Sequence, residues 1–446
     1  MVTQNPPSTP ASDRGRLQDD CFRPGQARLR HAEALEVLRS RIRPIAAVEV
    51  LRLGEAQGRT LAEDVVAGFP VPSHTNSAVD GYAFLSSPEV RDNGGSFPVV
   101  GRAAAGHPYK GAIPAGAAVR IFTGAVMPEG ADTVVMQEDA AVSTGDGANG
   151  AASSLIHVPG GLKPGANVRK AGEDVAAGRV LFEAGHVLRP QDVAALASIG
   201  CGEVRCYGRL KIGIISTGDE IVMPGRGALA PGQVYDANAP MLSALAALAG
   251  AECEHLGIWP DRRETVIGNL AEAAARFDVL LTSGGASLGE EDHMAAALAE
   301  SGSRHLWQLA IKPGRPMMFG QVPGASKDTI VVGLPGNPVA VFVCFLMYVH
   351  PMLRGLGGAT WREPRRYHLP AAFSFEGRKT GRREFWRGIL VERDGRLSVD
   401  KFARDGSGLI SGLTAASGLI DIPEDHGDVR EGDLVPFIPL GEFGIA

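Results

Sequence analysis

The sequence predicts a multidomain α/β plus β protein: a three-layer αβα parallel-sheet domain, an inserted β domain, a helical linker domain and a C-terminal β-barrel. Three observations predict it. The chain has 446 residues, room for three or four domains at ~150 residues each. Strand-like runs alternate with helical spacing over 210–360, the pattern of βαβ units. Short Val/Ile-rich runs separated by Gly and Pro fill 69–174, and strand runs return after 361, as in all-β units.

Residues 1–26 are rich in Pro, Ser, Gln and Asp and read as a flexible tail. Over 29–45, Leu29, Leu35, Leu38 and Ile42 recur mostly at helical spacing, and a second helix is expected over 59–66. PVVGRAAAG, AVRIFTG, ADTVVMQ and SLIHV then mark the β unit, after which Val193, Leu196 and Ile199 return to helical spacing. Helical stretches on both sides imply a β domain at 69–174 inserted into a helical linker or dimerisation domain at 27–68 and 175–209. Within 210–360, LKIGIIS, HLGIW, DVLLTSGG, PMMFGQV and TIVVGLPG read as strands. Between them Met241, Leu245 and Leu248, and then Val266, Leu270, Ala273 and Phe277, form helix faces. GILVERDGRLSVDKF reads as a hairpin turning at Asp394-Gly395, inside a 361–446 barrel or sandwich.

Composition narrows the function. Lys plus Arg number 44 and Asp plus Glu 50, a net −6, which argues against wrapping nucleic acid. The five cysteines form no C-x-x-C pair, so a disulfide framework or cysteine zinc site is not expected and a reducing cytoplasm fits. The longest strictly apolar run, 339–349, falls short of the ~20 residues of a bilayer span. The first residues carry no secretory pattern. A soluble cytoplasmic protein is expected.

In an open parallel sheet, ligands bind beyond the carboxyl ends of the strands. The segments that follow those strands here are Ser216-Thr217-Gly218-Asp219-Glu220, Pro260-Asp261, the 284–292 stretch GGASLGEED, and Leu334-Pro335-Gly336-Asn337-Pro338. Gly284, Gly285 and Gly289 would let backbone N–H groups approach an anion, which favours phosphate. Glu220, Asp261 and Asp292 would repel it unless a hard cation lies between, Mg²⁺ by default. Each feature has a plainer reading: a Gly-Gly turn, a helix N-terminal carboxylate, a solvated loop aspartate. Lys312 and Arg315 flank a Pro-Gly turn and could grip an anion, as could Arg387 in the basic 361–390 stretch. Asp80-Gly81 follows a long polar stretch with no strand leading in, although a hairpin turn would also use it. The sequence holds no Walker loop, and GGASLG at 284–289 is not the G-x-G-x-x-G of a dinucleotide site, so a nicotinamide cofactor has no support there.

Together these segments resemble the MoeA family, the molybdopterin molybdenumtransferases, which includes the E domain of gephyrin. The motifs are SAVDGYA at 77–83, RIFTGA at 120–125, AGED at 171–174, STGDE at 216–220, 284–292, KPGRP at 312–316 and LPGNP at 334–338. The resemblance implies a homodimer of four-domain subunits. It also implies Mg²⁺-dependent insertion of molybdate into adenylylated molybdopterin, with release of AMP. The cleft would lie between the α/β domain of one subunit and the β domain of the other, with the pathway adenylyltransferase as a further partner. By motif match Asp80, Thr123, Glu220, Asp261 and Asp292 are the expected functional residues, the last three as metal holders. Ser216, Thr217, Gly284, Gly285, Ser287, Gly289, Lys312, Arg315 and Arg387 would contact substrate, and Pro335 and Pro338 would shape the wall. Gln308 and Arg315 stand where lysine also occurs in the family. Two alternatives stand beside this: a molybdopterin adenylyltransferase, which the α/β block alone resembles, and a non-catalytic gephyrin-like scaffold.

Overall fold

The computed structural model describes residues 28–146, 152–260, 262–284, 293–324, 327–393 and 395–446. The strand Lys211–Thr217 carries buried Ile212, Ile214 and Ile215 in near-continuous succession, as a strand covered on both faces should. It pairs in parallel with Glu252–Trp259 and with Val279–Ser283, and the latter pairs in parallel with Thr329–Leu334. Beyond that the sheet turns antiparallel, through Pro316–Val322 to Ser303–Gln308. The expected parallel sheet is therefore mixed. The 323–328 connection between antiparallel neighbours is too short to hold a crossover helix. Asn238–Leu248 and the run Pro338–Leu356 contribute to the core on one face, and Arg263–Ala274 and His293–Ser301 to that on the other.

The run Pro338–Leu356 has the length and apolar composition of a membrane span. Here it is the central helix of a core, with Cys344, Phe345, Tyr348 and Val349 fully buried. A π-helical turn at Phe345–Val349 interrupts it.

The expected helical linker is corrected by the structure. Val48–Arg52 pairs antiparallel with Glu203–Tyr207, and Val65–Val66 with Val180–Phe182. Thr60 and Leu61 bridge Val187 and Cys206, so 59–66 is extended rather than helical. Its β-branched Thr60, Val65 and Val66 suit strands, and their partners arrive from beyond the β unit. Helix Pro190–Ser198 remains. The helix His31–Arg41 buries Ala34, Leu35 and Leu38 against the α/β core instead.

The chain leaves this paired segment and returns to it, and between lies a six-stranded sheet. Its inner strands are Gly81–Phe84, Ala118–Ile121, Gly95–Ala103 and Ala152–Val158. In the C-terminal region pairing runs from Arg396–Lys401 through Arg383–Arg393, Gly418–Ile422 and Leu434–Pro439 to Tyr367–Pro370. Ala371 then bridges Val399, so the sheet curls back on itself. Ile311–Lys312 pairs with Arg383 and Glu384. That contact fixes the C-terminal sheet against the strand ends of the α/β domain.

Candidate active site

A cavity of about 630 Å³ opens where those two domains meet. One wall carries Gly284, Pro335, Gly336 and Asn337 from the strand-end loops, with Val339 and Ala340 of the central helix. A second is the 312–316 turn, and the third comes from the C-terminal hairpin through Trp386, Arg387, Lys401 and Phe402. Gly314 is required at the turn: its φ is +101°, and a Cβ would stand 2.4 Å from Cys344 Sγ. Pro338 opens the helix beside this wall without lining the cavity.

Four cations line it, in different states. Lys312 is half exposed and its Nζ lies 3.4 Å from the buried Glu384 carboxylate. Arg315 is exposed and forms no ion pair among the described residues. Lys401 Nζ donates to Asp405 Oδ1 at 2.6 Å and sits over the Phe375 and Trp386 rings. Arg387 is buried and stacked on Phe402, and it donates to the carbonyls of Leu409 (3.1 Å) and Arg404 (2.6 Å). Burial holds its pKa below the usual arginine range. Arg387, expected to contact substrate, lines the cavity with much of its donor capacity already used in holding the hairpin.

Below the strand ends lies a buried polar floor. Ser216 is 2% exposed, donates to Asp236 Oδ2 and lies 3.2 Å from His255 Nε2. The expected substrate contact by Ser216 is corrected to an internal one. Asp236 Oδ1 also accepts from Asn238 N and Ala239 N at 3.0 Å, capping the helix that follows. Asn238 Nδ2 then ties Ser283 Oγ (2.7 Å) to the Gly336 carbonyl (2.6 Å). Thr217 Oγ1 donates to the Ser283 carbonyl at 3.2 Å. Gly284 has φ +89°, and a Cβ there would meet Thr217 Oγ1 at 2.6 Å. Its N–H is bonded to the Leu334 carbonyl at 3.1 Å, so its role is to let backbones approach rather than to donate to an anion.

Glu220 is exposed, and its carboxylate folds over Gly218, where a Cβ would stand 2.7 Å from Oε2. No ion pair uses it among the described residues. An unpartnered carboxylate over a glycine cradle fits a hard cation. Asp261, Asp292, Gly285, Ser287 and Gly289 lie outside the described residues.

On the β domain, Asp80 Oδ1 accepts from both Thr123 N (2.8 Å) and Thr123 Oγ1 (2.7 Å). These bonds, with Arg120 nearby, hold the Asp80 carboxyl below its usual pKa range. Thr123 spends its hydroxyl hydrogen there, so it orients Asp80 and has no second proton to donate to an oxyanion. Neither residue lines the large cavity of the same chain.

Three family models match the chain in order: the MoeA N-terminal region (domain I and II) over 29–200, a probable molybdopterin binding domain over 213–355, and the MoeA C-terminal region (domain IV) over 369–440. A molybdopterin molybdenumtransferase of Haemophilus influenzae is 37% identical over 89% of this chain and 94% of its own length. The chain belongs to the MoeA family. Gephyrin of Dictyostelium discoideum is 28% identical over 88% of this chain and 60% of its own. The molybdopterin biosynthesis moeA protein of Pyrococcus horikoshii superposes with a TM-score of 0.76 at 29% identity, over 93% of this chain and 100% of that one.

In this MoeA-family chain, sequence reasoning missed the C-terminal wall of Trp386, Lys401 and Phe402, because no local signal ties a distant hairpin to the strand ends. It also missed Asp236 and Asn238. Their signal was legible: an Asp-x-Asn step directly before an apolar helix is a capping pattern.

Proposed function

We propose that this protein inserts molybdate into adenylylated molybdopterin, releasing AMP in a Mg²⁺-dependent reaction of molybdenum cofactor biosynthesis. The observation that carries the reading is the cationic cavity at the strand ends of a MoeA-family chain. Molybdate is a tetrahedral dianion and the pterin substrate is an anionic phosphate ester, so both need cations in a partly dry site. Arg315 is the least committed cation at the rim, and Lys312 is held by Glu384 toward the same space. The wall of Pro335, Gly336 and Asn337 would orient the pterin. Trp386 and Phe402 supply flat apolar surface opposite.

Glu220, with Asp261 and Asp292, would hold Mg²⁺. The ion, when bound, would neutralise the phosphate oxygens and polarise the phosphoanhydride. Asp80, kept ionised by Thr123, would serve from the partner subunit of a homodimer. The described cysteines Cys201, Cys206, Cys253 and Cys344 are all free, which supports a reducing, cytoplasmic setting.

The test is direct. Purified protein is mixed with adenylylated molybdopterin, Mg²⁺ and molybdate, and AMP and active cofactor are followed. The reading expects both products, with AMP lost when Mg²⁺ is chelated. In a parallel reaction given ATP and molybdopterin instead, synthesis of the adenylylated pterin would select the adenylyltransferase reading. Binding without turnover would select the scaffold.

A further inference from the structure

The central helical run Pro338–Leu356 has a second cavity at its far end. Val339 and Ala340 wall the active-site cavity, whereas His350 and Arg354 line another of about 470 Å³. At 1.5 Å per residue the two lie roughly 20 Å apart along the helix. The 360–365 linker and the 441–444 segment complete this second cavity.

Its charge is one-sided. Arg354, Arg362 and Arg365 all line it, and none forms an ion pair among the described residues. Arg189, also on the lining, is already bound to Asp192 through Nε and Nη2 at 2.9 Å. Of the lining carboxylates, Glu363 lies 3.5 Å from Arg366 and Glu442 accepts the Arg365 backbone N–H at 3.2 Å.

Arg354 is the informative group. It is half-buried, and its guanidinium has no hydrogen-bond partner among the described residues. Burial and the like charge of Arg362 both disfavour its ionised form. A partly desolvated guanidinium that faces an open cavity gains by taking an anion from solution. The helix end does not account for it. The carbonyls of Leu353, Arg354 and Gly355 accept from the backbone N–H groups of Gly357, Ala359 and Gly358, so the helix end is capped without the guanidinium.

We propose that this cavity is a second anion site, taking a phosphate-bearing small molecule. Arg354, Arg362 and Arg365 hold the phosphate, and the apolar body lies against Trp361 and Phe443. Three convergent guanidiniums suit a tetrahedral dianion with several acceptor oxygens. The volume is that of a small-molecule pocket rather than of a lone ion. The assignment stands apart from the molybdate reading, since no residue is shared between the two cavities.

Calorimetric titration with phenyl phosphate tests it, with phenol as the uncharged control. To remove the first cavity's contribution, the titration is repeated on the Lys312→Ala/Arg315→Ala variant. Binding of phenyl phosphate but not phenol should persist there. It should weaken about tenfold or more in Arg354→Met and in the exposed-site variant Arg362→Ala, as expected for loss of a charge-assisted bond. Absence of binding to the wild-type protein would overturn the assignment, as would unchanged affinity in Arg362→Ala. A changed oligomeric mass in Arg362→Ala with phosphate binding intact would also overturn it, and would assign the cluster to a partner contact.

Discussion

Asp80 directly precedes an inner strand of the inserted β domain, half-buried, with its carboxylate bound among the described residues by Thr123 alone, whereas Asp421 is sealed in the C-terminal domain between two arginines. Both carboxyls are held below the usual range, by opposite means. At Asp421 burial pushes the pKa up, and bonds from Arg383 (2.5 and 2.8 Å) and Arg366 (2.7 Å) pull it further down. At Asp80 two hydrogen bonds to one oxygen suffice, and among the described residues Oδ2 is left to accept from something else. A carboxylate whose oxygens are both bonded inside is structural. One with a free oxygen is available for chemistry.

The contrast can be broken by stability measurements. Asp421→Asn should show the largest effect, since it strands two cations in a buried setting. A loss of about 3–5 kcal/mol is expected by urea denaturation; a loss below about 1 kcal/mol would mean the cluster is hydrated and the contrast false.

The same junction predicts the acid response. His31 donates or accepts at 2.9 Å with Tyr348 Oη and lies edge-on to Phe385. Burial, with Arg383 nearby, pushes its pKa down to about 3 from 6.5. The unfolded chain therefore binds the proton first, and stability falls as pH drops from 6.5 toward 3. Between pH 6.5 and 4.5 the expected loss is roughly 2 kcal/mol. Asp421 adds a loss of the same sign as pH falls through its depressed pKa. His31→Phe should flatten the profile between pH 6.5 and 4.5; an unchanged slope would show the imidazole reaches water.

Gly314→Ala probes the cavity wall. A positive φ and a 2.4 Å approach to Cys344 Sγ predict a cost of about 1–3 kcal/mol and a narrowed cavity. Wild-type stability would show that the 312–316 turn moves freely. Thr123→Val should have the smallest effect on folding, leaving the melting temperature unchanged within error while the Asp80 pKa, read by NMR titration, rises. A static pKa would sever Asp80 from Thr123.

Part of the cavity lining, Gly284, Lys312, Arg315, Pro335 and Arg387, was legible in the sequence. The segments after LKIGIIS and TIVVG fall at the strand ends because each apolar run stops at small or turn-forming residues. The linker was misread because Thr60, Val65 and Val66 take partners from 180–206, more than a hundred residues away, and helical periodicity over a few residues cannot weigh non-local pairing. The bonds from Arg387 to the Leu409 and Arg404 carbonyls were not legible, because composition does not show which carbonyls surround a guanidinium. Ser216 looked like a contact because a strand end was read without Asp236 beneath it.

The measurement that bears most directly on the proposed reaction is AMP release from adenylylated molybdopterin, with Mg²⁺ and molybdate, by wild-type protein and by folded Asp80→Ala and Asp292→Ala variants. The account predicts AMP and active cofactor from the wild-type protein and neither from the two variants. Wild-type AMP release by either variant would contradict it.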